Sequence, residues 1–157
     1  MSIDWANFDW DLVVSLHIVC VVLWVGGMFF AYVVLQPALA GLEGPPRVAL
    51  MGRVMRRFLL IVWHAMPLAI LSGYAMLFGI YGGFKSAPWP IHAMNGIGLI
   101  MAAIFIALFT GPWRRFRAAV QPARAASAAA AMRRLVGINL VLGLVAIVMG
   151  SLAHWSW

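Results

Sequence analysis

An all-α integral membrane protein, built as a four-helix antiparallel bundle with both termini outside, is the fold class this sequence predicts. Three observations carry that expectation. Hydrophobic residues make up 65% of the chain and charged residues only 10%, a balance outside that of soluble domains. Four apolar runs, at about 12–35, 58–80, 91–112 and 135–154, each reach the roughly 20 residues that cross a hydrocarbon core of about 30 Å. All but one of the eleven basic residues fall in connections that lie on one side of those runs. The runs consume most of the 157 residues, so residues 1–157 are read as a single transmembrane domain.

The first run is built around Leu16-His17 and Trp24-Val25-Gly26-Gly27. His17 stands well inside the hydrocarbon, because a helix rises about 1.5 Å per residue. An ionisable side chain at that depth marks a functional site. Trp24 falls two turns further along the same face, and Gly26 and Gly27 leave room beside it for a neighbouring helix or a flat ligand. Asp4, Asp9 and Asp11 stand where a cleavable signal carries positive charge, so the first span is expected to persist in the mature protein. Cys20 is the single cysteine, which excludes an intramolecular disulfide, and it reads as a small buried hydrophobe.

Between the first and second runs lie Arg47, Arg53, Arg56 and Arg57, and between the third and fourth lie Arg114, Arg115, Arg117, Arg124, Arg133 and Arg134. Opposite them are the acidic N-terminal tail, a loop carrying only Lys85, and an uncharged C-terminus. The positive-inside rule places both ends outside the cytoplasm, as expected for a multi-pass protein of a bacterial inner membrane. The net charge of +7 is then a topology signal, and nucleic acid is excluded as a partner. Trp5, Trp10, Trp89, Trp155 and Trp157 form an outer aromatic belt, with Trp113 at the inner interface.

Pro37, Gly41, Gly44, Pro45 and Pro46 end the first helix, after which Arg47 to Arg57 reads as a helical approach to the second span. The alanine-rich residues 117–134, broken at Pro122, read the same way for the fourth. Pro67 is expected to bend the second helix and free the Trp63 carbonyl. The loop from Tyr81 to Pro90 is short and turn-rich, which predicts that spans two and three are antiparallel neighbours.

Every run carries one histidine: His17, His64, His92 and His154. Counted from the span centres, His17 lies about 9 Å outward of the midplane, His92 and His154 about 13 Å outward, and His64 about 6 Å inward. Two imidazoles facing each other across a four-helix bundle can hold a haem iron from both faces, and by depth His17 pairs with His92 or with His154. Gly96 lies one turn from His92 and Gly150 one turn from His154, where small residues make space for a planar cofactor beside Trp24. Cofactor-binding candidates are therefore His17, His64, His92, His154, Gly96, Gly150 and Trp24. The ten methionines offer soft thioethers suited to the cuprous ion, yet they are scattered without a short cluster and read mostly as core filler.

What is missing narrows the field. No span carries an acidic or basic residue near its centre, so a proton-coupled pump lacks its usual relay. There is no phosphate-binding glycine loop and no hydrolase motif. Redox chemistry borrowed from a cofactor is the easiest activity to build here.

The run Leu16-His17-Ile18, Trp24 to Phe30 and Leu35-Gln36-Pro37-Ala38-Leu39 resembles the membrane domain of the CopD family, named for copper resistance. The related HemJ-type protoporphyrinogen oxidases, small four-helix membrane proteins that bind haem b, carry a histidine in the first span and Trp-x-His opening the third. That pattern is similar to Leu16-His17 and Trp89-Pro90-Ile91-His92, with one extra residue. The resemblance implies His17 and His92 as the pair of iron ligands, with His154 as the alternative. Those oxidases place a lysine soon after the third-span histidine, whereas this chain has Met94, a departure that weighs against protoporphyrinogen oxidation.

The leading expectation is a b-type haem protein passing electrons between the outer face and a membrane partner such as quinone. Its enzymatic form is a haem-dependent membrane oxidoreductase. Copper transport or tolerance is the alternative, with copper in place of haem b. The partners implied are the lipid bilayer, quinone or a periplasmic redox protein, and a second copy of the chain. The topology is checked by reporter fusions: one after Gly83 is expected to report outside and one after Arg124 inside, and the reverse pattern would overturn the depth assignment of the histidines.

Overall fold

The protein is all-α and crosses the membrane four times. The structure, a computed structural model, describes residues 9–153. Four long helices account for nearly all of them: α1 (Trp10–Ala40), α2 (Gly44–Gly79), α3 (Trp89–Ala118) and α4 (Pro122–Ala153), each apolar and long enough to span. His154 and the tryptophans Trp5, Trp155 and Trp157 lie outside the described residues.

The helices outrun the apolar segments from which they were expected. α2 has 36 residues, about 54 Å of helix against a hydrocarbon core of about 30 Å. Its first turns therefore stand clear of the core and carry Arg47, Arg53, Arg56 and Arg57, all exposed. α4 opens on Pro122, since a proline at a helix start sacrifices only an N–H that would have no partner there. The helix of α2 continues unbroken through Pro67.

Three stretches widen to π-helical turns: Val22–Gly26 and Phe30–Leu35 in α1, and Phe109–Trp113 in α3. Pro37 follows the second and Pro112 lies inside the third. A proline removes one N–H from the ladder and pushes its ring against the preceding turn, and a widened turn absorbs both. The first stretch ends on Gly26 and turns two consecutive residues, Trp24 and Val25, into the core.

The lateral arrangement departs from the expectation that spans two and three are close neighbours. α1 packs along α2 and α3 along α4, while α2 and α3 touch only sparsely. A tight loop makes α2 and α3 antiparallel, but which faces meet is decided by packing. In lipid that depends on where small residues let backbones approach. The turn between them uses Gly82 and Gly83 at positive φ (70° and 108°). Phe84 joins the two ends, with ring centroids 5.8 Å from Phe78, 6.4 Å from Tyr74 and 6.1 Å from His92.

The two pairs close on each other through the C-terminal part of α1. Residues 22–35 of α1 meet α4, and the main core continues from there into the arginine-rich end, through Met28, Leu35, Leu39, Met55, Leu59 and Met132. Trp113 and Phe116 stack at that end with centroids 6.1 Å apart. Toward the other end the pairs part. α1 and α4 still approach closely at Gly143, where a Cβ would stand 2.9 Å from Val25 Cγ2 and 3.1 Å from Met101 Cε. Both neighbours are buried. Gly143→Val is expected to cost about 1–3 kcal/mol by overpacking. Gly96→Ala meets no atom within 4 Å and should stabilise by about 1 kcal/mol or less through helix propensity. Reversible unfolding in mixed micelles checks the contrast.

Candidate functional site

His17 reaches across from α1 to α2. Its Nδ1 stands 2.9 Å from the carbonyl oxygen of Ala69 and 3.1 Å from Oγ of Ser72. A carbonyl only accepts, so Nδ1 carries the proton and donates it. The Ser72 hydroxyl donates its own proton to the Leu68 carbonyl at 2.6 Å, which leaves its oxygen lone pairs turned to His17. Gly73 makes the approach possible, because a Cβ there would stand 3.3 Å from His17 Cε1.

Fixing the proton on Nδ1 has a direct consequence for the other nitrogen. Nε2 keeps its lone pair, and no hydrogen bond to another described residue uses it. This is how metal-binding imidazoles are usually prepared: the second ring nitrogen is tied to a backbone carbonyl or carboxylate, which sets tautomer and ring orientation.

The ring borders a cavity of about 520 Å³ formed where the two helix pairs part. That volume falls within the range of about 300–1,000 Å³ typical of ligand pockets. α1 contributes His17, Trp24 and Val25; α2 contributes Gly73, Tyr74 and Met76; α3 contributes Met94, Asn95, Gly98 and Met101; α4 contributes Gly143 and Gly150. Glycines on α4 seat the methionines of α3. A Cβ at Gly150 would stand 3.2 Å from Met94 Sδ, and Gly143 lies against Met101 Cε. No carboxylate or cationic side chain lines the walls.

Among the described residues, two buried polar side-chain atoms have no partner. The Trp24 side chain, 4% exposed, borders the cavity with its Nε1 unpaired. Asn139, 3% exposed, donates from Nδ2 to the Met101 carbonyl at 3.2 Å and leaves Oδ1 unpaired. An unpaired polar group in a dry interior costs about 1–3 kcal/mol.

Of the candidates drawn from the sequence, His17, Trp24 and Gly150 border this cavity. His92 and Gly96 do not. They lie on the exposed face of α3, one turn apart, with the His92 ring stacked on Phe84. The helical period explains the separation: the cavity stripe on α3 runs Ile91, Met94, Asn95, Gly98 and Met101, and His92 sits about 100° around from Ile91. His17 and His92 are therefore not gathered at one site. His64 is exposed on α2, with Nδ1 donating to the Leu60 carbonyl of its own helix at 2.8 Å. His154 lies outside the described residues.

Met76, Met94 and Met101, which the sequence suggested were core filler, border the cavity, and Ser72 carried no signal in the sequence. Met94 and Met101 are two turns apart with Gly98 between them, a spacing that already placed both on one stripe. Among the described residues no group of three or more His, Cys, Asp or Glu side chains could hold a metal ion. A metal bound here relies on thioether sulfur. The His17 tautomer is checked by ¹⁵N NMR of histidine-labelled protein: a neutral ring protonated at Nδ1 is expected, and protonation at Nε2 alone would contradict the geometry.

Compared with known proteins, the chain matches the family described as Copper resistance protein D over residues 52–153. The match runs from the arginine-rich part of α2 to the end of α4. No curated protein and no solved structure matches.

Proposed function

The chain belongs to the copper resistance protein D family, and on that premise we propose that it takes the cuprous ion into the cavity between its helix pairs, as a copper transport or tolerance protein. One observation carries this reading: His17, whose Nδ1 is held by the Ala69 carbonyl, and Met76, Met94 and Met101 border one cavity whose walls carry no charged side chain. Neutral imidazole and thioether are soft donors that suit the cuprous ion. Calcium and magnesium are held chiefly by carboxylates, and the walls supply no carboxylate.

The charge layout gives the ion a side from which to arrive. Asp9 and Asp11 lie at the cavity end of α1, whereas the exposed arginines crowd the opposite end. A cation is attracted to the first and repelled by the second. With the arginines cytoplasmic, this corresponds to access from the periplasmic side of an inner membrane.

A second reading uses the same cavity. Its volume of about 520 Å³ is far more than a bare ion fills, and Trp24, whose buried Nε1 has no partner, is among the residues that border it. Haem b would supply one-electron transfer to a quinone or redox-protein partner. The residues that would hold it are His17, the one imidazole among the described cavity residues, and a thioether such as Met94. Purified protein with a Soret band supports this reading.

Anaerobic titration with the cuprous ion against a chromophoric chelator tests the leading one. His17→Ala is expected to abolish tight binding. Ser72→Ala should weaken it by about 10–100-fold, the usual effect of losing a group that orients a ligand. Gly98→Phe, at a position with no atom within 4 Å of a new Cβ, should fill the cavity and block binding without unfolding the bundle. Wild-type affinity in His17→Ala would reject the reading.

A further inference from the structure

The core holds a second group of soft donors at the other end of the bundle. Met51 and Met55, one turn apart on α2, and Met132 on α4 border a small void of about 10 Å³. That is room for about one probe sphere, so the void admits a single small ion and no organic ligand. All three side chains are buried, at 6%, 2% and 1% exposure. Methionine ordinarily closes gaps, since three rotatable bonds let it fill irregular space. Here three of them meet around a gap that stays open.

The void lies in line with the cavity. On α1 the cavity wall ends at Val25 and the lining of the void begins at Ala31, an interval of about 9 Å along the axis. Met28, at 2% exposure, occupies that interval. On α4 the void ends at Val136 and the cavity begins at Gly143, and between them stands Asn139 with its unpaired Oδ1. A thioether and a free carbonyl oxygen thus lie between the two donor groups, and both can ligate a cation in passage.

We propose that Met51, Met55 and Met132 form a second cuprous site, joined to the His17 cavity by Met28 and Asn139, so that the bundle carries a two-station path. This rests on the copper reading of the cavity. The stations are unequal. Arg133 borders the inner void, with its guanidinium over the Tyr32 ring at 6.0 Å, and its charge opposes a bound cation, whereas no cationic side chain lines the cavity. The inner site is the weaker one, which suits a point of release.

The test uses the full chain in detergent, titrated anaerobically with the cuprous ion against a chromophoric chelator. The wild type is expected to bind two ions, one tighter than the other. M51L/M55L/M132L, a set of near volume-conserving changes, should lose the weaker and keep the tighter. H17A/M94L should do the reverse. A wild type that binds one ion, lost in H17A/M94L, overturns the second site and leaves the copper reading standing. A wild type that binds none overturns both, and two unchanged sites in the triple leucine variant overturn this inference alone. A measurement on wild-type protein guards against a variant that fails to fold: with methionine methyls ¹³C-labelled and silver(I) as a redox-inert stand-in, the second equivalent should shift Met51, Met55 and Met132. Unmoved resonances for these three would overturn the inner site.

Discussion

The hydrogen bond from His17 to the Ala69 carbonyl is the interaction on which the site depends. It crosses from α1 to α2 at 2.9 Å and does three things together. It satisfies an imidazole N–H inside the bilayer, where no water is available to do so. It ties the first helix to the second beside the void between the pairs. It also decides which ring nitrogen remains free. Without it His17 could turn to its own helix, as His64 does on α2 with the Leu60 carbonyl, and would present no fixed lone pair to anything.

The cavity follows from how small residues are distributed. In lipid, helices gain nothing by hiding apolar side chains from an equally apolar solvent, so close packing selects the contacts. Gly143 brings α4 against Val25 and Met101, while Gly98 faces open space. The pairs are thus held together through the arginine-rich half and left apart in the other half. The π-helical turn at Val22–Gly26 sits at the boundary and directs both Trp24 and Val25 inward. A roomy cavity bordered by His17 and a small void bordered by Met51, Met55 and Met132 result. Exposed arginines accumulate only at the end that holds the small void.

Much of the fold was legible in the sequence, because hydropathy and loop charge answer to the bilayer directly. Four apolar runs became four helices, and the breaks near Gly41–Gly44 and at Pro122 fell where proline and glycine placed them. His17 and Trp24, singled out in the sequence, do border the cavity, because a polar atom at that depth is costly and turns away from lipid. His92 was not legible in the same way. Its fate depends on the rotation of α3, and apolar residues surround such helices almost evenly, as they do α4, so periodicity carries little information about which face is inside. The pairing of α1 with α2 and α3 with α4 was hidden for the same reason. The methionines were hidden by chain order: Met76 and Met94 lie on either side of a loop and meet only across the cavity.

Copper K-edge X-ray absorption on the protein loaded with one equivalent of cuprous ion tests most directly whether His17 presents a ligand to a soft-donor cavity. A mixed shell of imidazole nitrogen and thioether sulfur is expected, with the nitrogen lost in His17→Ala. A shell of nitrogen and oxygen alone, or one unchanged by that substitution, would contradict it.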